Sequence, residues 1–415
     1  MNFIKSIKEL DLNVLIIVGL YVVFLYCQVT QGQFIRQIGT DSIEFSYGVS
    51  ALSSFSMYSA SLLAIGTGVI RVIKSKVRYD GYIPVLFVFS SFLCLWLVVD
   101  VSSNGLASVL KHSSCNPTIY FILWAMFIAF SESSWNTIVK LARIIGPVLL
   151  VWSLIQSLSF QSLFGGYIGN SPQILLLGNG ICTVFVAMLG HKHKDSLLTV
   201  SIFVSSIFCG IVTAVIYANR SWIVQCILLL FFYFYKQSKG ESLPKLSTII
   251  ITGAVLYFMY CLMVDNFADS FDYLMSRGLS DTRSWQYQEI FNQYTFSDLF
   301  LGKGTFGTYK SAQYGDYGYI DNTTMLIWFH FGFITACCLV YLLLKAPIHI
   351  LISKQTKKCM KTTAIICMLW FLALNGLSVY NTIIWDLRNV MMVFAIGRCV
   401  KMCHDIQYCC LSSYE

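Results

Sequence analysis

From Leu12 onward the chain keeps returning to apolar runs of about 20 residues, the length of α-helix that crosses the hydrocarbon core of a bilayer. Such runs fall at about 12–29, 45–70, 82–101, 117–133, 137–158, 173–190, 196–217, 221–235, 246–264, 322–344, 362–379 and 383–400. In lipid every backbone polar group must be satisfied within the protein, so runs of this kind fold as helices. Composition agrees: apolar residues make up 57% of the 415 and charged residues only 12%, about half the share in a soluble domain. The sequence therefore predicts an all-α polytopic membrane protein with about twelve transmembrane helices, one domain over residues 1–415. The first run has Lys5 and Lys8 before it and no A-x-A-like site after it, so it reads as a retained anchor.

The net charge of +8 raises the possibility of a nucleic-acid partner, but the distribution of cations answers it. Most of the 28 Lys and Arg residues collect in alternate connections: Lys5 and Lys8, Arg71 to Arg78, Lys140 and Arg143, Lys192 and Lys194, Lys236 to Lys245, Lys345 to Lys361, then Arg398 and Lys401. The positive-inside rule places those connections and both termini in the cytoplasm, and no nucleic acid is needed to explain the charge. Cysteine usage fits the same topology. Nearly all of the 15 cysteines fall within spans or cytoplasmic segments, Cys115 being the outer exception, so a disulfide framework is not expected. The tail "CVKMCHDIQYCC" gathers Cys399, Cys403, His404, Cys409 and Cys410, but C-x3-C followed by C-C is not a zinc spacing. "HKHKD", with His191 and His193, reads as a basic turn.

One connection stands out. Residues 265–321 link the ninth and tenth predicted helices on the extracytoplasmic side, and elaborated loops on a rigid scaffold are where function concentrates. Within it "SDTRSWQYQEIFNQY" has Tyr287, Ile290, Phe291 and Tyr294 at i, i+3, i+4 and i+7, which predicts an amphipathic helix. Ser280 or Asp281 would cap it, and Trp285 with the tyrosines suits the membrane interface. Arg283 then stands in the first turn, beside free backbone N–H groups that attract anions. Farther on, "GKGTFG" (Gly302 to Gly307) spells the G-x-G-x-x-G of a dinucleotide-binding turn. That turn needs a strand before it and a helix after it, whereas "TYKSAQYGDYGYID" follows here. The glycines are expected to make tight turns that return the chain to the tenth span.

Taken together, "RGLSDTRSWQYQEIF", "DLFLGKGTFGTYK" and "YIDNTTMLIWFHFGFI" resemble the Wzy-type O-antigen polymerases and, more distantly, the O-antigen ligases. The resemblance rests on Arg283 closely followed by Trp285, the apolar-glycine turn, Asn322 at the mouth of the next helix, Gly332 beyond it, and Arg220 in "YANRSW" just outside an earlier helix. It covers roughly residues 215–340 by motif. Two features depart from it: Asp321 replaces the histidine that many ligase-like members carry before the asparagine, and "FQSLFGGYIGNSP" lacks the arginine some polymerases place there.

The resemblance implies a GT-C-like glycosyltransferase of the bacterial inner membrane, its active site facing the periplasm. Its substrates would be undecaprenyl-diphosphate-linked oligosaccharides, with membrane lipids, a chain-length regulator and a flippase as partners. It implies a diphosphate-binding role for Arg220, Arg277 and Arg283, since guanidinium groups stay charged and bind phosphate oxygens in pairs. Trp285 and Asn322 would contact glycan, and Asp321 is the candidate base for the acceptor hydroxyl, or else a helix cap. His330, deeper in the same run, is expected to be a hydrogen-bonded core residue. Asp386 and Arg388 in "IIWDLRNVMM" are ionisable groups within a span and hence candidates in their own right, Arg388 as a substrate contact. No metal or other cofactor is expected. An O-antigen ligase and a lipid-oligosaccharide flippase or transporter are the rival readings.

Overall fold

The computed structural model describes residues 10–36, 43–46, 50–74, 81–111, 116–164, 172–190, 195–217, 219–237, 257, 261, 283–312, 315–320, 322–354, 356–372 and 386–411. Its helices are α1 (Leu12–Thr30), α2 (Ala51–Lys74), α3 (Tyr82–Asn104), α4 (Leu106–Lys111), α5 (Glu132–Phe164), α6 (Pro172–Leu189), α7 (Leu197–Ile216) and α8 (Arg220–Gln237). They continue with α9 (Arg283–Gln293), α10 (Phe296–Leu301), α11 (Thr323–Phe331), α12 (Phe333–Ile352), α13 (Lys358–Leu372) and α14 (Leu387–Leu411). Among the described residues, seven helices are long and apolar enough to cross a membrane. The chain is a mainly helical, multi-pass membrane protein. The predicted ninth span, 246–264, lies outside the described residues apart from Tyr257 and Cys261.

The predicted fourth span is not an α-helix. Pro117–Phe130 is a 3-10 helix, and Ile119 to Ala129 are buried except for the half-buried Phe121. At about 2.0 Å per residue, 14 residues of 3-10 helix reach roughly 28 Å, where an α-helix would stop near 21 Å. The tighter winding lets a short run match a hydrocarbon core of about 30 Å. Long 3-10 runs are uncommon because their hydrogen bonds are poorer, so this one needs support from outside. It comes from close packing: a Cβ added at Gly68 of α2 would overlap the Trp124 carbonyl, and one at Gly397 of α14 would overlap that of Met126. Glycine at both positions lets two helices close on the thin segment.

The cations that the positive-inside rule assigned to the cytoplasm anchor helix ends on one side of the bundle. Arg71 pairs with Asp11 at 2.8 Å and donates to the Ile128 carbonyl at 3.0 Å; Arg143 pairs with Asp195; Arg398 pairs with Glu132 at 2.6 Å. Asp11 caps α1 through Asn13 and Val14. Burial opposes its ionisation, but the Ser134 hydroxyl and the Arg71 guanidinium outweigh that and hold its carboxyl below the usual range.

At the opposite end sits a small unit, residues 283–331, here termed the cap. The amphipathic helix forms as α9, with Ile290 buried and Tyr287 and Tyr294 packed beside it. Phe291 is exposed, its ring edge-on to Trp328 at 5.6 Å. Ser280 and Asp281 lie outside the described residues. "TYKSAQYGDY" forms a hairpin instead of coil, β3 (Tyr309–Ser311) antiparallel to β4 (Gly315–Tyr317), with Tyr309 opposite Tyr317. The all-α expectation also missed a hairpin between α1 and α2, β1 (Gln33–Arg36) antiparallel to β2 (Ile43–Ser46), which overlaps the expected second span, 45–70, only at Phe45 and Ser46. The tenth span, expected as one helix over 322–344, breaks at Gly332 (φ +90°) into α11 and α12. Only α12 is long and apolar enough to cross.

Candidate functional site

The cap is assembled around the glycine turn. Gly302 and Gly332 pack backbone against backbone: a Cβ at Gly302 would lie 2.5 Å from the His330 carbonyl, and one at Gly332 would lie 2.5 Å from that of Phe300. Lys303 and Gly304 donate their N–H groups to the Phe329 and His330 carbonyls at 2.9 and 2.8 Å, satisfying acceptors that the end of α11 leaves open. Gly304 (φ +75°) then lets the chain turn close to Asp100 and Trp96 of α3. Asp100, buried near the end of α3, accepts from the N–H and hydroxyl of Thr305 at 2.9 and 2.6 Å. No strand–turn–helix surrounds these glycines; the turn joins α10 to β3.

His330 is fully buried beneath the turn, as a core histidine should be. Its Nδ1 lies 2.6 Å from the Gly304 carbonyl and its Nε2 lies 2.7 Å from the Gly318 carbonyl. Carbonyl oxygens only accept, so both bonds form together only when the ring carries two protons. The hairpin is tied to α9 in the same style. The Gln293 amide donates to the Lys310 carbonyl at 2.7 Å and accepts from its N–H at 2.8 Å, while Glu289 accepts from Ala312. Thr295 and Asp298 form a capping box at α10, with Lys303 at 3.3 Å. The Thr295 hydroxyl, its N–H and Lys303 hold the Asp298 carboxyl below the usual range.

One face of the cap is aromatic and uncovered. Phe291, Phe296 and Phe300 are between 39% and 59% exposed, and all three join Phe333 at the start of α12, Phe291 through Trp328, in a run of ring contacts. Such a belt suits a membrane–water interface.

Of the residues singled out from sequence, Arg283 opens α9 and Trp285 is exposed in its first turn. Asp321, Arg277 and the side chain of Arg283 lie outside what is described. The cap of α11 is Asn322, not Asp321: its Oδ1 accepts from Thr324 and Met325 at 2.9 and 3.2 Å. Arg220 opens α8, half-buried and with no carboxylate partner among the described residues.

Arg388 is placed inside the bundle rather than at an open surface, 5% exposed. Its guanidinium stands 3.5 Å from Asp386, and its backbone N–H donates to Asn179 of α6 at 2.6 Å. Asp386 caps α14 by accepting from the Asn389 N–H and side-chain amide at 2.9 and 2.7 Å. Trp222 of α8 and Arg388 both approach Gly178, where an added Cβ would meet them at 2.9 and 3.5 Å. Arg388 to Gly397 rises roughly 13 Å along α14, and Tyr120 to Met126 roughly 12 Å along the 3-10 helix. Since Gly397 packs on Met126 and Tyr120 meets Phe331 of the cap, Arg388 lies at about the level of the cap's underside. Sequence reasoning missed Asn179, Gln173, Gln225 and Asp100. The signal available was an amide or carboxylate standing alone in an apolar run.

Comparison with protein-family models, with curated proteins and with solved structures finds no match for this chain.

Proposed function

We propose that this protein is a bacterial inner-membrane glycosyltransferase of about twelve spans that polymerises undecaprenyl-diphosphate-linked O-antigen repeats on the periplasmic face, both termini being cytoplasmic. The observation that supports it best is that the pieces carrying the resemblance are folded into one unit. The helix opened by Arg283, the glycine turn and Asn322 all belong to the cap, Gly332 ends it, and the turn is hydrogen-bonded to the helix that Asn322 starts. The cap lies at the end of the bundle opposite the cytoplasm-assigned ion pairs, and Arg220 opens a helix that the same end presents.

In this reading an acceptor hydroxyl attacks the anomeric carbon of the donor glycan. The bond from that carbon to the diphosphate oxygen breaks, and its electron pair leaves with undecaprenyl diphosphate. Asp321 takes the hydroxyl proton. Arg283, Arg220 and Arg277 face the charge growing on the leaving group, which is where fixed cations lower a barrier most. The aromatic belt of the cap would hold it at the depth of the lipid-linked sugar.

Arg283→Lys keeps the charge but not the planar fork. In a strain lacking the gene, Arg283→Ala should give a lipopolysaccharide ladder of single repeats, and Arg283→Lys should be slowed on the order of 10²–10³-fold. Lys111→Ala should restore the full ladder. A normal ladder from Arg283→Lys, or equal damage from Lys111→Ala, would replace the diphosphate clamp with diffuse surface charge. Lipid-linked polymer accumulating without transfer in the deletion strain would indicate the ligase.

A further inference from the structure

Among the described residues, most of the buried side-chain atoms left without a hydrogen bond belong to five residues on the cap-side halves of α6, α8 and α14. Arg388 Nε, Asp386 Oδ2, Trp222 Nε1 and both amide atoms of Gln173 and Gln225 make no hydrogen bond, though none of these residues is more than 5% exposed; Asp386 Oδ2 stands 3.5 Å from the Arg388 guanidinium. Each such group costs about 1–3 kcal/mol when buried unmade. Leucine at Gln173 or Gln225 would fill nearly the same volume at no such cost. Polar groups kept inside a membrane bundle without partners are there for something that binds them.

We infer that these side chains line an internal site for a neutral, hydroxyl-rich ligand such as a sugar ring. The balance of the groups sets the class. Donors are the Arg388 Nε–H, the Trp222 indole N–H and two amide NH2 groups; acceptors are Asp386 Oδ2 and two amide carbonyls. A hydroxyl both donates and accepts, so a polyol can satisfy such a mixed set, whereas phosphate only accepts and would leave the acceptors facing its oxygens. Charge points the same way, because Asp386 at 3.5 Å offsets Arg388 and the five side chains together carry no net charge to attract an anion. Arg388 and Trp222 are brought together at Gly178; Gln173 lies toward the cap on the same helix as Gly178, and Gln225 is one turn beyond Trp222.

The choice of sugars as probes rests on the polymerase reading. The test uses the full chain in lipid nanodiscs with a mixture of glucose, galactose, N-acetylglucosamine and rhamnose, read by saturation-transfer NMR. At least one sugar should show transfer, sodium pyrophosphate should not displace it, and Gln173→Leu and Gln225→Leu should each cut the signal at least about tenfold while the thermal midpoint holds or rises. Three results would overturn the site: no transfer to any sugar, which leaves the cluster merely hydrated; displacement by pyrophosphate; or leucine variants that bind as wild type or melt earlier. Because binding is read without turnover, a chain that binds sugar but restores no polymer breaks the polymerase reading and leaves this one standing.

Discussion

In the cap, buried polar groups are mostly tied down: His330 by two carbonyls, Asp100 by Thr305, the hairpin by Gln293. In the bundle, the end beneath the cap carries an arginine Nε, one carboxylate oxygen, two amides and an indole N–H that make no hydrogen bond. The two regions also cohere differently. The cap closes on a small cluster of Ile290, Leu299, Tyr309, Ile320, Leu326 and Phe329, where burial out of water stabilises by about 1.5–3 kcal/mol per side chain. Helices in lipid gain little from that effect and rely on close approach, here of Gly68 and Gly397 onto bare backbone. Polar bonds in the cap are thus framework, and unpaired polar groups in the bundle are surplus to the fold.

The largest effect that could break this contrast is at the 3-10 helix. Gly68→Leu or Gly397→Leu should cost more than about 4 kcal/mol, because the side chain would need the space of a carbonyl. Neither variant should accumulate in the membrane, whereas Gly66→Leu on the same helix, with nothing within 4 Å, should accumulate normally by immunoblot. Equal loss at Gly66 would mean the helix face tolerates no bulk, and the close-approach explanation would fall.

Next comes His330. Replacement by Phe removes the ring's two hydrogen bonds, to the Gly304 and Gly318 carbonyls, and should loosen the cap by about 1–3 kcal/mol. Deuterium exchange should rise across residues 302–320 while α1 to α8 keep wild-type protection. A matching loss of protection in the bundle would show that the two regions are one cooperative unit.

The smallest effect belongs to Asp298. Its carboxyl is held low in the folded cap, so its contribution is present above the ordinary carboxylate pKa and is lost as pH falls through the folded value. Below about pH 4 the amides at the start of α10 should exchange faster, after correction for intrinsic rates, and Asp298→Asn should flatten that dependence. An unchanged profile in the variant would assign the effect to another acid.

The features legible in the sequence are periodic or compositional. Apolar runs mark helices that can cross, alternate cation clusters fall where the ion pairs form, and the 3.6-residue spacing found Tyr287, Ile290 and Tyr294 on the inner side of the cap but wrongly included the exposed Phe291. These are properties of a segment alone. The winding of Pro117–Phe130 was not legible, because an apolar run looks alike as α or 3-10 helix and the deciding glycines lie on two distant helices. The break at Gly332 was hidden for a similar reason: a glycine in an apolar run is ambiguous until another backbone, here at Phe300 and Leu301, takes the space. Nor could sequence place Arg388 beside Trp222, since residues on separate helices meet only through Gly178 packing between them. Local order follows from side-chain pattern; which backbones touch is settled only when the helices assemble.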